Sequence, residues 1–158
     1  MELKEAEQKE EFLKIQSMAR SIWPHVYQGV IPPEQISLLL DKYFSDQGIN
    51  HFLLEGYRYF LIYFEGKEAG FIAIKEYPDY VYLDKLYLKE EFRRHHIASD
   101  VFDHLIAVFN KDIVLNVNQN NEAAVKTYLA KGFKIVKNET IKLKDGMVNN
   151  DYVMRKKA

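Results

Sequence analysis

Arg93, Arg94, His95 and His96 stand in succession just ahead of a segment with helical periodicity that begins near Ile97. A helix N-terminus carries roughly half a positive charge and unpaired backbone N–H groups, so it readily takes a phosphate. Cationic side chains before that end strengthen the reading, and a solvated basic turn is its plain alternative. A second stretch, Leu115 to Phe133, reads LNVNQNNEAAVKTYLAKGF. Asn121 sits where an N-cap belongs. Ala124 and Tyr128, four apart, share a helical face. A phenol in that place is either core packing or a proton donor. The chain has no Cys, which excludes a thiol nucleophile, disulfides and thiolate metal sites. Its five His are scattered without a carboxylate at ligand spacing, so no metal site is expected.

Several elements must position these residues. Phe12, Ile15, Ala19 and Ile22 recur at helical spacing and predict an amphipathic helix over about residues 8–21. Trp23-Pro24 is expected to end it, since Pro disfavours helical geometry in the residue before it. Pro32-Pro33-Glu34 opens a second helix, with Ile36, Leu39, Leu40 and Tyr43 as its buried stripe. A weaker helical stretch runs over about 46–55 and stops at Gly56. Tyr57 to Phe64 and Ala69 to Glu76 read as a hairpin around Glu65-Gly66-Lys67. Pro78-Asp79 breaks the chain before a strand from Tyr80 to Leu88. Ile97, Val101, Leu105, Val108 and Phe109 mark a helix, and Ile113 to Val117 a short strand. A helix from Glu122 to Lys131 follows, with Gly132 suited to the left-handed position past its end. Phe133 to about Leu143 and Val148 to Arg155 form a last hairpin around Lys144-Asp145-Gly146. The pattern predicts an α/β (α+β) fold, a mixed sheet with helices on both faces.

Composition narrows the function classes. The 158 residues fit one domain spanning 1–158, with neither repeats nor a linker to mark a boundary. Apolar residues are 47%, including 11 Tyr and 10 Phe, ample for a core. Lys plus Arg number 22 against 23 Asp plus Glu, so no global field favours nucleic acid or an anionic membrane. The first twenty residues mix charges and hold no apolar run of signal-peptide length. Nothing approaches the ~20 apolar residues of a membrane span. The expected location is cytoplasmic, and a homodimer is compatible with all of this.

The two chemistry-bearing stretches together resemble the GNAT superfamily of N-acetyltransferases over most of the chain. That family's pyrophosphate loop runs Gln or Arg, two residues, Gly, one residue, then Gly or Ala; here the matching stretch is Arg93-Arg94-His95-His96-Ile97-Ala98. Its second signature, N-x-x-A-x-x-x-Y-x-x-x-G-F, is matched at Asn121, Ala124, Tyr128, Gly132 and Phe133. The segment WPHVYQGVIPPEQI is similar to the first two helices of many bacterial members, and the ending DGMVNNDYVMRKK to the final hairpin of one subgroup. The resemblance also implies an N-terminal strand from Glu2 to Ala6, despite its helical composition, and a mostly antiparallel sheet of about seven strands. One departure is plain: His96 and Arg94 stand where the family often has Gly. Gly permits positive φ and close backbone approach, so a His there either uses ordinary backbone angles or costs about 1–3 kcal/mol in a strained region.

What the resemblance implies is transfer of an acetyl group from acetyl-CoA to an amine by direct attack, without a covalent enzyme intermediate. Arg93 to Ala98 and Ser99 would hold the pyrophosphate. The backbone of Leu86, Tyr87 and Leu88 would pair with the pantetheine arm, and Asn121 and Ala124 would meet its amides, with plain N-capping the alternative for Asn121. Tyr128 would be the general acid toward the departing thiolate. Asp84 would be the base; it is the only acidic residue in Tyr80 to Leu88, and burial would raise its pKa toward a useful value. A structural carboxylate is the other reading. Trp23, His25 and Tyr27 lie in the segment that lines the acceptor cleft of relatives. The acceptor is left open among polyamines, amino acids, peptide N-termini and other small amines. A non-catalytic module that binds CoA or a partner is the competing class, supported by the altered loop alone.

Overall fold

In the computed structural model, which describes residues 1–142 and 148–158, strand β1 (Glu2–Glu5) leads into helices α1 (Lys9–Val26), α2 (Pro33–Phe44) and α3 (Asp46–Leu54). Strands β2 (Tyr57–Phe64), β3 (Lys67–Glu76) and β4 (Tyr80–Leu88) follow, then a short 3-10 turn (Glu90–Phe92) and helix α4 (Ile97–Phe109). The chain continues through β5 (Asp112–Asn118), α5 (Glu122–Ala130), β6 (Lys134–Lys142) and β7 (Val148–Lys156). The expected final turn, Lys144-Asp145-Gly146, and Leu143 lie outside the described residues. The strand order is β1-β2-β3-β4-β5-β7-β6. Pairing is antiparallel for β1–β2, β2–β3, β5–β7 and β6–β7 and parallel for β4–β5. The fold is therefore the mixed, mostly antiparallel seven-stranded one expected. Two compact units divide the chain: Met1–Lys75 with Lys85–Val101, and Glu76–Asp84 with Phe102–Ala158.

In the first unit, α1 buries Ile15, Met18, Ala19, Ile22 and Trp23 with Ile36, Leu40 and Phe44 of α2, Tyr59 and Leu61 of β2, and Phe71 and Ala73 of β3. Each fully buried large apolar side chain contributes about 1.5–3 kcal/mol, which gives α1 its place. Glu11 starts the helix: its carboxylate accepts from the backbone N–H of Gln8 at 2.9 Å and of Glu7 at 3.1 Å. The expected stop at Trp23-Pro24 is not observed, because α1 runs on to Val26 with Pro24 inside it. Burial of Trp23 among Tyr27 (4.9 Å), Phe44 (5.3 Å) and Tyr87 (5.8 Å) holds the residue before Pro helical against its local preference. Pro24 comes in the last turn, and the carbonyl it leaves without a donor belongs to exposed Arg20. β1 forms against propensity for a similar reason: Glu2 to Glu5 pair with Tyr63 to Phe60 of β2.

In the second unit, the parallel register of β4 on β5 covers Tyr80–Tyr82 against Asp112–Val114. β5 then pairs with β7 from Ile113↔Lys156 to Asn118↔Asp151. Ile113, Leu115, Phe102, Phe133 and Met154 are almost wholly buried. Arg155 closes one end, donating to Asp112 at 2.7 Å and to the carbonyl of Asp79. β6 is the last strand of the order and is mostly exposed.

Candidate functional site

The basic loop comes first in the chain. Arg93 follows the 3-10 turn, and its amide donates to the Glu90 carbonyl at 3.1 Å. Arg94 and His96 both adopt left-handed backbone angles, φ +65° and +58°. Of the two conformations open to non-Gly residues here, the chain takes the strained one, and each costs about 1–2 kcal/mol. Buried Ile97 then anchors the start of α4, and Asp100 N–H bonds the His96 carbonyl at 3.1 Å as the first helical bond. The N–H groups of a helix's first turn have no carbonyl four residues back to pair with. Arg93, Arg94, His95 and His96 are all exposed. The ring of His95 rests 5.4 Å from Phe64, which also meets Phe92 at 6.3 Å. Phe64 was not singled out in the sequence, yet it braces one of the two His residues.

The end of β4 is fixed by a close backbone approach. A Cβ on Gly70 of β3 would stand 2.1 Å from the carbonyl oxygen of Tyr87 and 3.0 Å from Leu88 Cα, so only glycine fits. Lys89 N–H donates to the Ala69 carbonyl at 2.8 Å beside it. A glycine inside an apolar strand signals such an approach, and that signal was there to be read. Leu86, Tyr87 and Leu88 are half-buried. Trp23 and Tyr27 gather on Tyr87: the Tyr27 and Tyr87 hydroxyls are 3.0 Å apart, and the buried indole N–H of Trp23 has no hydrogen-bond partner among the described residues. His25 instead lines a polar cleft of about 250 Å³ with Ser21, Lys89, Glu90, Glu91 and Arg93. The expected acceptor residues thus divide, two on Tyr87 and one beside the basic loop. Lys85, also unforeseen, is buried with its ammonium 4.0 Å from the centre of the Phe52 ring.

Asp84 departs from expectation. Alternation along β4 buries Val81, Leu83 and Lys85 and leaves Asp84 exposed. The burial expected of it is not observed. On the same strand, the Tyr82 hydroxyl donates to Asn116 Oδ1 at 3.1 Å. The Asn116 amide reaches Asp151 and Glu139 at 3.3 and 3.4 Å, a polar network that the sequence did not reveal.

The second signature turns out to be two helix caps and what they hold. Asn121 Oδ1 accepts from Ala124 N–H at 3.2 Å and starts α5. At the other end Gly132, φ +95°, donates to the Leu129 carbonyl, and Phe133 N–H donates to the Tyr128 carbonyl at 3.0 Å. That pair of bonds is a Schellman cap, with the hydrophobic contact that accompanies it supplied by the Tyr128 and Phe133 rings, 5.5 Å apart. Lys156 Nζ seals the same end on the Lys131 carbonyl at 2.6 Å. Tyr128 also meets Phe102 at 6.3 Å. Burial pushes its phenol pKa above the ordinary value of 10.0. The hydroxyl itself is bonded to no described residue. The phenol of Tyr128 is therefore un-ionised throughout the neutral pH range.

No group of three or more His, Asp or Glu that could hold a metal occurs among the described residues. No described helix is long and apolar enough to cross a membrane.

The seven-stranded mixed sheet with its strand order agrees with the fold that the resemblance implied. The family model for the acetyltransferase (GNAT) domain matches residues 27–155, and the chain belongs to that family. No curated protein matches the chain. Among solved structures, the chain is similar to the PaiA N-acetyltransferase of Thermoplasma acidophilum in complex with coenzyme A, with a TM-score of 0.75, 20% identity and 100% of both chains covered. It is similar to a spermidine N-acetyltransferase chimera from Vibrio cholerae, with a TM-score of 0.67, 17% identity, and 99% of this chain and 96% of that one covered. A GNAT acetyltransferase from Elizabethkingia anophelis with acetyl-CoA bound matches with a TM-score of 0.57 at 16% identity, over 83% of this chain and 94% of that one. These likenesses carry the fold.

Proposed function

We propose that this acetyltransferase moves an acetyl group from acetyl-CoA to a primary amine of a small molecule or peptide, acting as one domain in the cytoplasm. The observation that carries the reading is the backbone of the basic loop. Arg94 and His96 occupy the family's glycine positions and adopt glycine's left-handed angles. Backbone of glycine's kind at both positions supports a cradle for pyrophosphate, and so speaks for a catalytic enzyme over a non-catalytic module.

The donor supplies an acyl group activated as a thioester. Arg93 to Ser99 hold its pyrophosphate with backbone N–H groups and cations, Leu86 to Leu88 offer backbone to its pantetheine arm, and Asn121 and Ala124 flank its amides. The amine nitrogen bonds to the carbonyl carbon as the carbon–sulfur bond breaks. Asp84, or a water that it orders, takes the proton leaving the amine. Exposed Asp84 makes the water route the better supported one. Tyr128 gives its proton to the departing thiolate, and such general acid catalysis contributes roughly 10²–10⁴-fold. Trp23, His25 and Tyr27 are assigned to the acceptor. A polyamine and a peptide N-terminus both fit this chemistry.

Thermal melting with acetyl-CoA tests the donor assignment. At ~100 times its dissociation constant a ligand adds about 2.7 kcal/mol, so a clear rise in melting temperature is expected. An unchanged melt at millimolar acetyl-CoA would refute the assignment. Thiol release with a panel of amines then identifies the acceptor class.

A further inference from the structure

The last turn of α1, the connection after it and the start of α2 line a cavity of about 360 Å³. Its wall is apolar: Pro24 of α1, Ile31 of the connection, and Pro33, Ile36 and Leu40 of α2. Gln28 and Ser37 supply the polar side chains. No ionisable side chain lines it among the described residues, and Glu34 and Asp41, the carboxylates of α2, stand outside the lining. Pockets for small molecules have this size and make-up, apolar walls with few polar groups.

We propose that this cavity takes an apolar group of the acceptor, so that the acceptor is a primary amine bearing an aryl or branched alkyl group rather than a polyamine. The proposal rests on the assignment of Trp23 and Tyr27 to the acceptor and extends it along the same elements. Pro24 and Gln28, which line the cavity, directly follow those two residues in the chain. The Tyr27 carbonyl accepts from Val30 N–H at 3.0 Å and Ile31 N–H at 3.1 Å, which hangs the connection on Tyr27. Ile36 and Leu40 belong with Trp23 to one buried cluster, and Tyr27 and Ile31 pack against it. The cavity thus lies against the cluster that holds the aromatic group.

Charge decides the class. A polyamine brings a further ammonium, and drawing it into a neutral apolar cavity strips its water with no carboxylate in return. An aryl or branched alkyl group gains on entering, and one methylene more or less in such a pocket is worth about 10–200-fold in discrimination. Val30, between the lining residues Gly29 and Ile31, is 75% exposed, so apolar surface continues along the connection. The side chains of Gln28 and Ser37 can bond a polar atom of the acceptor without favouring a charge.

Thiol release from acetyl-CoA tests this with ethylamine, phenethylamine, a peptide with N-terminal Phe, and spermidine, and melting curves establish that each variant is folded. kcat/KM for phenethylamine or for the peptide should exceed that for ethylamine and spermidine by at least about tenfold. The faster of the two tells whether a small amine or a peptide is the source of the group. Ser37→Phe should fill the cavity from its rim and cut the preference by about tenfold. Ser37→Asp should place a carboxylate there and move the preference toward spermidine. A wild type that prefers spermidine, or an apolar preference that both variants keep, would overturn the proposal and leave acetyl transfer standing. No thiol release with any of these amines would overturn it too, and the melt with acetyl-CoA then tells whether the donor assignment falls with it.

Discussion

Phe133 holds Tyr128 twice, by a 3.0 Å bond from its amide to the Tyr128 carbonyl and by a ring contact at 5.5 Å. Main chain and side chain of the proposed acid are thereby fixed by one residue five positions on. Nothing in that grip touches the hydroxyl, so the acid can be removed without disturbing its support.

Tyr128→Phe should therefore keep the fold and acetyl-CoA binding and lose turnover. The ring and both contacts with Phe133 remain. An acid used only as the thiolate leaves acts on the transition state, so the loss falls on kcat, by roughly 10²-fold or more. Single-turnover kinetics separate this from slow product release. A kcat within about threefold of wild type would leave the phenol a structural role only.

Gly132→Ala should loosen the same grip from outside. The position holds φ +95°, and an added Cβ would stand 2.8 Å from Lys156 Nζ. A left-handed residue other than glycine costs about 1–2 kcal/mol. The expected result is a lower melting temperature with an activity loss that exceeds the loss of folded protein at the assay temperature.

Gly70→Ala should be the most damaging of the single-methyl changes. Its Cβ would meet the rigid carbonyl of Tyr87 at 2.1 Å, where no flexible side chain can yield. Overpacking costs typically about 1–3 kcal/mol, occasionally more. Denaturant unfolding should show the loss, and near-ultraviolet dichroism should report disturbance of the Trp23–Tyr27–Tyr87 group.

Stability should fall in acid through three carboxylates. Arg58 beside Glu5 holds its carboxyl below the usual 4.5. The N–H groups of Gln8 and Glu7, then Lys4, do the same for Glu11. The Ala158 N–H and Arg155 hold Asp112 below 3.8. A depressed folded-state pKa gives stability that is complete above the unfolded value and is lost as pH falls through the folded one. Melting temperature should thus be level just above pH 4.5 and drop below it. Glu11→Gln should shrink the drop as well as lower the plateau.

Much of this architecture was legible because local and global signals agreed. The periodic apolar stripes of α1 and α2, the turn at Glu65-Gly66 and the paired caps Asn121 and Gly132 are all short-range features. Where the reading missed, a long-range contact decided. Pro24 stays helical because Trp23 is buried against residues as distant as Tyr87. β1, which composition alone would have made helical and the family resemblance made a strand, is a strand because β2 offers it a ladder. Asn121 and Gly132 were readable as caps, but only the structure shows that Phe133 completes the second cap and holds the Tyr. Exposure of Asp84 was not readable, since alternation gives the two faces of β4 but not which one solvent reaches. The bracing of His95 by Phe64 joins residues 31 apart in sequence and left no local trace.

The left-handed angles at Arg94 and His96 bear on how the basic loop meets a ligand. Glycine at both positions would sample many backbone states in the empty enzyme, and capture of a pyrophosphate would have to freeze them. Side chains at these positions shrink that range beforehand, so the entropy of ordering falls on folding of the chain rather than on each encounter with donor. An enzyme built this way accepts a less stable resting state in return for a loop that is already shaped. Its glycine-restored form would be the sturdier protein in a melting experiment, and its binding would carry the larger unfavourable entropy in a calorimeter.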